Sequence, residues 1–436
     1  MNAAPHLPAD HADSLDILAL FQAREAERYS LASRHMNHAL TQVLRTIGFD
    51  VGFVRGEGPY LYDRAGQRYL DLLSGWGVFG VGRNHPGVAR RLSDVLCAQL
   101  PGLVQMDAPV LASLLAEALL RRAPYLQKVH FVNSGSEAVE AAIKLARRAT
   151  GRAGIVYCEH AFHGLSLGAL SLNGEAIFRD GFGPLLPGCE SVPFNDLAAL
   201  ERSLASRPAA AFIVEPIQGH TVAVAADDYL PAAAALCKKH GSLLIVDEVQ
   251  TGFGRTGKMF ALEHAAGVEA DLLTVAKSLA GGVPLSAVIG KAHIMDAPPP
   301  GGLGGTFAGS PLGCATGLAV LDIIRDEQLL ERAQRIGHFM TSRLKGLQVR
   351  FPGIGDVRGL GAMIAIELVK HGDANQADPD LTKALVQKCM QNGLVILACG
   401  TRGNVIRFLA ALTAPDAIVN EGLEIFEKSL AQLVVK

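Results

Sequence analysis

The chain of 436 residues is 49% hydrophobic and 19% charged, ample for a large core, and its length suggests two or three folding units. A formal net charge of −2 supplies neither the basic field of a nucleic-acid binder nor an acidic tail. The seven cysteines (Cys97, Cys158, Cys189, Cys237, Cys314, Cys389, Cys399) are odd in number and scattered, without a CxxC pair or Cys/His cluster. Nothing in that pattern suggests zinc, and free thiols in a reducing cytosol are the better reading.

The N-terminus, MNAAPHLPADHADSLDILALFQ, has no basic stretch and carries Asp10, Asp13 and Asp16 ahead of a short apolar patch. Neither a secretory signal nor an Arg-rich transit peptide is expected. No uninterrupted apolar run reaches the about 18 residues of a membrane span, so a soluble, cytoplasmic protein is expected. Residues 1–48 read as polar helix, an arm lying on another surface. Residues 56–70 hold two alternating runs about a turn, a hairpin signal. From 74 to 311, strand-like runs at 129–132, 154–157, 211–214, 243–246 and 272–276 alternate with helical stretches. This pattern predicts an α/β architecture, a mostly parallel sheet with helices on both faces. After Gly313 a long helical segment leads into an α+β tail, where runs at 356–361, 363–367, 394–398 and 405–409 predict a small mixed sheet.

Several strand ends carry chemistry. Val129-His-Phe-Val-Asn133 runs into Ser134-Gly-Ser-Glu-Ala138, where Ser134 and Glu137 have capping-box spacing. Such a start, with small residues and free backbone N–H groups, suits a phosphate, although an ordinary capped helix explains it equally well. Phe162 beside His163, after the run at 154–157, suits either stacking on a planar ligand or plain packing. Glu215 follows the run at 211–214, and Gly301 to Gly309 form a glycine-rich loop whose hydroxyl, Thr306, is a second candidate phosphate donor.

The stretch LLIVDEVQTGFGRTGKMFALEHAAGVEADLLTVAK, residues 243–277, carries the sharpest signal. Its two apolar runs end in Asp247 and Lys277, and in parallel sheets ligands bind beyond the carboxyl ends of strands. An amine and a carboxylate there are what an aldehyde cofactor needs: one attacks the carbonyl, the other holds a ring nitrogen protonated. Gly252 to Lys258 also fits the phosphate-loop spacing GxxxxGK, but Met259 stands where that loop needs a Ser or Thr, and the loop has no strand of its own. The same glycines satisfy GxGxxG, yet residues 248–251 separate them from the strand. A structural Asp and a surface Lys are the plain alternative.

In order, the segments SGSEAVEAAIKLAR, AFHG, VEPIQG, LLIVDEVQTGFGRTGK, DLLTVAKSLAGG, TFAGSPLGCA and VIRFL resemble a class III pyridoxal-phosphate aminotransferase from about Gly58 to the C-terminus. Putrescine, ornithine, acetylornithine and 4-aminobutyrate aminotransferases share the pattern, and the overall texture is nearest the putrescine branch. The resemblance implies a fold-type-I dimer with an N-terminal arm and part of the small domain over residues 1–73, a large cofactor domain over 74–315 and a small α+β domain over 316–436. Pyridoxal 5′-phosphate is the implied cofactor. Lys277 matches the Schiff-base lysine and Asp247 the partner of the pyridine nitrogen, with Gln250 near the ring hydroxyl. Ser134, Gly135 and Ser136 match the phosphate cradle, Phe162 the stacking aromatic with His163 beside it, and Glu215 an acid near the lysine. Thr306 matches a phosphate ligand given to the neighbouring subunit, so the implied homodimer has shared active sites. Arg407 resembles the arginine that takes a substrate carboxylate.

Three positions depart from the ornithine-type pattern. His220 stands where relatives commonly have the Glu that pairs with the carboxylate-binding arginine, Leu165 where an Arg follows Phe-His-Gly, and Ala410-Ala411 where Pro-Pro is usual. Trp76, the only Trp, falls in a loop that lines the substrate entrance in relatives; simple core burial would explain it as well. The expected reaction is ping-pong transfer of an amino group from a primary amine, diamine or ω-amino acid to a 2-oxo acid. An ornithine or acetylornithine enzyme, and an aminomutase or decarboxylase of the same fold, are the rivals. A non-catalytic regulator is disfavoured, because Lys277 and Asp247 are both present and no DNA-binding module is appended.

Overall fold

The computed structural model describes residues 16–104 and 107–434, and these form two compact units. Residues up to Arg55 together with Leu61–Arg68 make one; Gly56–Tyr60 and the chain from Tyr69 onward make the other. The first contains helices Ile17–Arg24, Arg28–His35 and His38–Thr46, which bear out the helical reading over the described residues; its first fifteen positions lie outside them. Helices this short do not hold alone in water. Asp16 and Asn37 cap two of them, and Arg28 donates to the Phe53 carbonyl at 2.7 Å while the Tyr29 hydroxyl reaches those of Phe49 and Val51. The expected hairpin is present as strands Tyr60–Asp63 and Arg68–Asp71, with Gly66 at φ +81° in the turn.

The second unit is built on a seven-stranded sheet in the order Lys128–Val132, Ser286–Gly290, Leu272–Val275, Leu243–Asp247, Ala209–Val214, Gly154–Cys158, Cys189–Val192. Six strands run parallel; Ser286–Gly290 pairs antiparallel with both neighbours. The near-continuous apolar runs are buried along their length, as expected where helices cover both faces. The helix Gly135–Thr150 lays Ala138, Val139, Ala142 and Leu145 in the same core as Ile155, Ile213, Ile245 and Leu272. Two strands escaped the sequence reading: Cys189–Val192 is short with a charged residue inside, and Ser286–Gly290 follows the lysine through a Gly-Gly-Val-Pro turn.

The tail departs from expectation in three ways. Its sheet, ordered Ile354–Leu360, Met363–Leu368, Val405–Phe408, Leu397–Cys399, is antiparallel throughout rather than mixed. The run expected as one strand over 394–398 is two: Leu394–Val395 pairs parallel with Leu70 and Asp71, and only Leu397–Cys399 joins the small sheet. Leu394, Val395 and Ile396 are buried in succession, so this run crosses between sheets instead of alternating along one. The long helical segment is also two helices, Pro311–Asp326 and Leu329–Arg350, parted where Gln328 turns to φ +51°. Among the described residues, no helix is long and apolar enough to cross a membrane.

Backbone meets backbone where this tail joins the loop after Asp247. The Gly-rich segment with phosphate-loop spacing is structural: Arg255 is fully buried and donates to the carbonyls of Ala362 and Ala410. Beside it, a Cβ on Gly361 (φ +54°) would lie 2.3 Å from the Thr256 carbonyl carbon, and one on Gly337 would lie 2.2 Å from the Gly361 oxygen. Gly337→Ala gains up to about 1 kcal/mol of helix propensity but forces backbone apart at about 1–3 kcal/mol. The clash wins, because the neighbour is main chain and cannot swing aside. The variant is expected to melt several degrees below wild type by circular dichroism; an unchanged or raised midpoint would show that the helix can shift freely.

Candidate active site

The carboxyl ends of the parallel strands converge on a cavity of about 710 Å³. Asp247, the last residue of its strand and 3% exposed, is the floor. Its carboxylate accepts from His163 Nδ1 at 2.7 Å, from the Thr274 hydroxyl at 2.9 Å and from the Val249 amide at 3.0 Å. Register makes the second bond possible, since Asp247 lies directly opposite Thr274 on the neighbouring parallel strand. Burial pulls the His163 imidazole toward its neutral form, but the hydrogen bond and charge of Asp247, with Glu215 beyond, outweigh it and raise its pKa. Asp247 and His163 face the cavity as a hydrogen-bonded pair.

Lys277 lies two residues past the end of Leu272–Val275, with its backbone at φ +34°, and its side chain opens into the same cavity. Burial lowers its amine from 10.5 to about 8; Asp247 and Glu215 oppose the shift and Arg407 adds to it. Glu215, one residue past Ala209–Val214, accepts from the Gly219 amide at 2.8 Å and the Phe162 amide at 3.1 Å. Burial still lifts its carboxyl to about 6, with His163 lowering it and Asp247 raising it. Arg407 comes from the small sheet, where it pairs with Ala365 and Leu397, and donates to the Gly219 carbonyl. Burial lowers its pKa, and the nearest negative influences are the Cys399 thiol and Glu215.

The remaining expected residues gather around these. Ser134 caps Gly135–Thr150 in a complete capping box with Glu137, leaving Ser134, Gly135 and Ser136 along one wall of the cavity. The loop bearing Phe162 and His163 is laid directly on that first turn: a Cβ on Gly164 would fall 2.2 Å from the Ser136 hydroxyl, which accepts from the Leu165 amide. Gln250 donates to the Trp76 carbonyl at 3.1 Å, and Trp76, 55% exposed, lines the cavity rather than filling the core. Leu165, 59% exposed, and half-buried His220 line it too. Thr306 alone stands apart: it is exposed and does not line this cavity.

Sequence reasoning missed Thr274, Asn173, Phe178 and Ser278. Thr274 was detectable, because aligning the two strand ends puts it beside Asp247. Asn173, wholly buried, holds both His163 N and the Gly164 carbonyl; Ser278 ties the lysine's neighbour to the Gly77 carbonyl at 2.7 Å. Neither sits in a pattern that marks it.

The cavity fits the implied cofactor. It offers a helix N-terminus for a phosphate, a buried carboxylate for a ring nitrogen, an aromatic ring for its face and an amine made nucleophilic by burial. Two buried nitrogens on its walls, His163 Nε2 and Arg407 Nε, have no hydrogen-bond partner among the described residues, as befits a site that a ligand completes. The chain is 41% identical over 407 residues to a probable 4-aminobutyrate aminotransferase of Bacillus subtilis, covering 86% of this chain and 92% of that protein. It is 42% identical over 398 residues to a 5-aminovalerate aminotransferase of Pseudomonas aeruginosa, covering 87% and 93%. The crystal structure of an ornithine aminotransferase from Toxoplasma gondii superposes with a TM-score of 0.85 at 31% identity, covering 96% of this chain and 98% of that one. Residues 46–430 match the family described as aminotransferase class-III. This protein belongs to the class III aminotransferases, pyridoxal-phosphate enzymes that pass an amino group from an amine donor to a 2-oxo acid.

Proposed function

We propose that the donor is a terminal primary amine on an aliphatic body, whether ω-amino acid, diamine or simple amine. The observation that carries this reading is the charge layout of the cavity. Arg407 is the one arginine among the residues lining it, and the wall formed by Trp76, Leu165 and Phe178 is apolar. The names of the two curated relatives, for 4-aminobutyrate and 5-aminovalerate, support a terminal amine. Among the described residues no carboxylate side chain is bonded to Arg407, and neutral or charged, His220 cannot supply one. The guanidinium is thus available to the 2-oxo acid in its half-reaction, and its planar fork suits a carboxylate.

Bound pyridoxal 5′-phosphate supplies an aldehyde and a cationic ring that accepts electrons from the amine carbon. Lys277 is its attachment point and the base that carries the proton off that carbon. The drop from 10.5 to about 8 raises the neutral fraction of its amine at pH 7 by roughly 300-fold. Asp247 holds the ring nitrogen protonated, and His163, Thr274 and the Val249 amide keep its carboxylate in place. Ser134, Gly135 and Ser136 take the phosphate, Phe162 covers the ring face, Gln250 approaches the ring hydroxyl and Glu215 balances the charge of Lys277 and Arg407.

The exposure of Thr306, away from its own cavity, supports giving it to the phosphate of a neighbouring subunit in a homodimer with shared sites. The proposed organisation is a large domain over 74–315 and a small one over 316–436, with residues 1–73 as the arm and part of the small domain; the pairing of Leu394–Val395 with Leu70 and Asp71 supports that last share. Seven unpaired cysteines favour the cytoplasm.

Lys277→Met keeps the aliphatic stem and removes the amine. Borohydride treatment should then leave no cofactor mass on the variant chain, whereas wild type retains it. In the cofactor-free protein, burial works against the charged amine, so Lys277 opposes folding most below about pH 8 and is relieved as pH climbs toward 10.5. The variant should therefore out-melt cofactor-free wild type at pH 7 and lose that margin above pH 10.5. An adduct of wild-type yield would place the attachment elsewhere.

Asp247→Asn should bind cofactor yet transaminate about 10²- to 10³-fold more slowly, the usual effect of removing one stabiliser of developing charge. Wild-type rates on every donor would show that another group protonates the ring.

With a simple amine as donor, Arg407→Ala should slow the 2-oxo-acid half-reaction at least tenfold more than the amine half-reaction when stopped-flow absorbance follows each alone, since a charged hydrogen bond contributes about 1.5–3 kcal/mol. Simple amines and diamines should outrun ornithine and N-acetylornithine as donors. Equal damage to both halves, or a preference for N-acetylornithine, would overturn the assignment.

A further inference from the structure

We propose, building on the aliphatic-donor reading, that Phe178 is the specificity-determining residue that sets how long an amine tail the site accepts. Phe178 belongs to the four-residue helix Ala176–Arg179, in the connection between strands Gly154–Cys158 and Cys189–Val192. Its neighbour Ile177 is 81% exposed, yet the Phe178 ring faces the cavity that Lys277 and Arg407 line. The ring stands edge-on to Phe162 at 5.2 Å and 75°, and edge-on to His220 at 5.8 Å and 81°. Both separations fall in the attractive edge-to-face range. Phe178 is thus the corner between the wall assigned to the cofactor ring and the wall beside Gly219, whose carbonyl holds Arg407.

This corner is fixed, which separates it from an ordinary surface aromatic. Three consecutive residues lash the segment before it to the loop at 160–164. Asn173 donates to the Gly164 carbonyl at 2.8 Å and accepts from the His163 amide at 2.7 Å. Gly174 donates to the Ala161 carbonyl at 2.9 Å and lies so close that a Cβ would be 1.9 Å from the His160 nitrogen. Glu175 is hydrogen-bonded to the His160 ring at 2.5 Å. The staple fixes the segment that leads into Phe178, and the edge contacts with Phe162 and His220 hold the ring itself. An aliphatic tail extending past Lys277 toward the entrance gains apolar contact with each methylene until it meets this ring, and then stops gaining.

The test is the chain-length profile of kcat/KM for straight-chain amines from propylamine to octylamine, and for ω-amino acids of matching length, at a fixed 2-oxo acid. In the wild-type holoenzyme, kcat/KM should rise about fourfold per methylene and then break. Phe178→Ala should move the break about two methylenes longer and Phe178→Trp should move it shorter, with the change in KM rather than kcat. The KM for the 2-oxo acid should stay within about twofold of wild type, because Arg407 is untouched. Opposite shifts from the two variants are something a merely structural role does not produce, and Phe178→Trp keeps the test valid if the alanine variant fails to fold. A break at one length in all three proteins overturns the proposal. If wild type uses ω-amino acids but no simple amine, the broader donor reading falls while the Phe178 shift is still read in the acid series. If simple amines are donors and the break does not move, Phe178 falls alone. Use of neither series by wild type removes both.

Discussion

A carboxylate taken out of water costs several kcal/mol unless it is paired and fully hydrogen-bonded, and Asp247 sits at the end of a strand with almost no solvent contact. Three donors meet that cost: the His163 ring, the Thr274 hydroxyl and the Val249 amide. Each makes its own demand on the fold. Thr274 requires the parallel register of two central strands, Val249 requires the turn that follows the strand, and His163 requires the loop after Gly154–Cys158 to be folded inward. Asn173 meets that last demand, buried wholly and bonded to both ends of the His163–Gly164 step. Satisfying one buried acid thus positions Phe162, the loop laid on the first turn of Gly135–Thr150 and the strand that delivers Lys277.

The backbone around the cavity is held in conformations that side chains resist. Lys277 at φ +34°, Trp76 at +57° and His160 at +62° all lie in the left-handed region, at roughly 1–3 kcal/mol each. They persist because neighbouring contacts over-determine them. Ser278 bonds the Gly77 carbonyl, so the residue after the lysine anchors the Trp76 loop, and Arg83 pairs with Asp71 at 2.7 Å to brace the start of the same loop. Trp76 and Lys277 line the cavity, and strain held there by the surrounding fold is typical of a site whose geometry is set in advance rather than found on binding.

How much of this the sequence exposes depends on the range of the forces involved. Strand runs such as 243–246 and 211–214 were legible because burial on both faces leaves an unbroken apolar signature, and Asp247, Lys277 and Glu215 were legible because they end those runs. The capping box at Ser134 is equally local. Fewer long-range consequences could be read. The run at 394–398 looks like one strand because its residues are apolar, yet Ile396 is where it passes from one sheet to the other. Ser286–Gly290 gives no sign that it runs against its neighbours. Phe178 carries no mark at all, since its role comes from a close approach between residues 174 and 160 that only folding brings about.

The seam between Gly164 and Ser136 also bears on the stability of the occupied site. Two segments meet there with no room for a methyl group, one carrying Phe162 and His163 and the other the first turn of Gly135–Thr150. A ligand that engages both clamps the seam from outside, and a ligand at 100 times its dissociation constant adds about 2.7 kcal/mol to stability by mass action alone. Resistance of this seam to opening therefore rises with ligand concentration, by about 1.4 kcal/mol for each further tenfold.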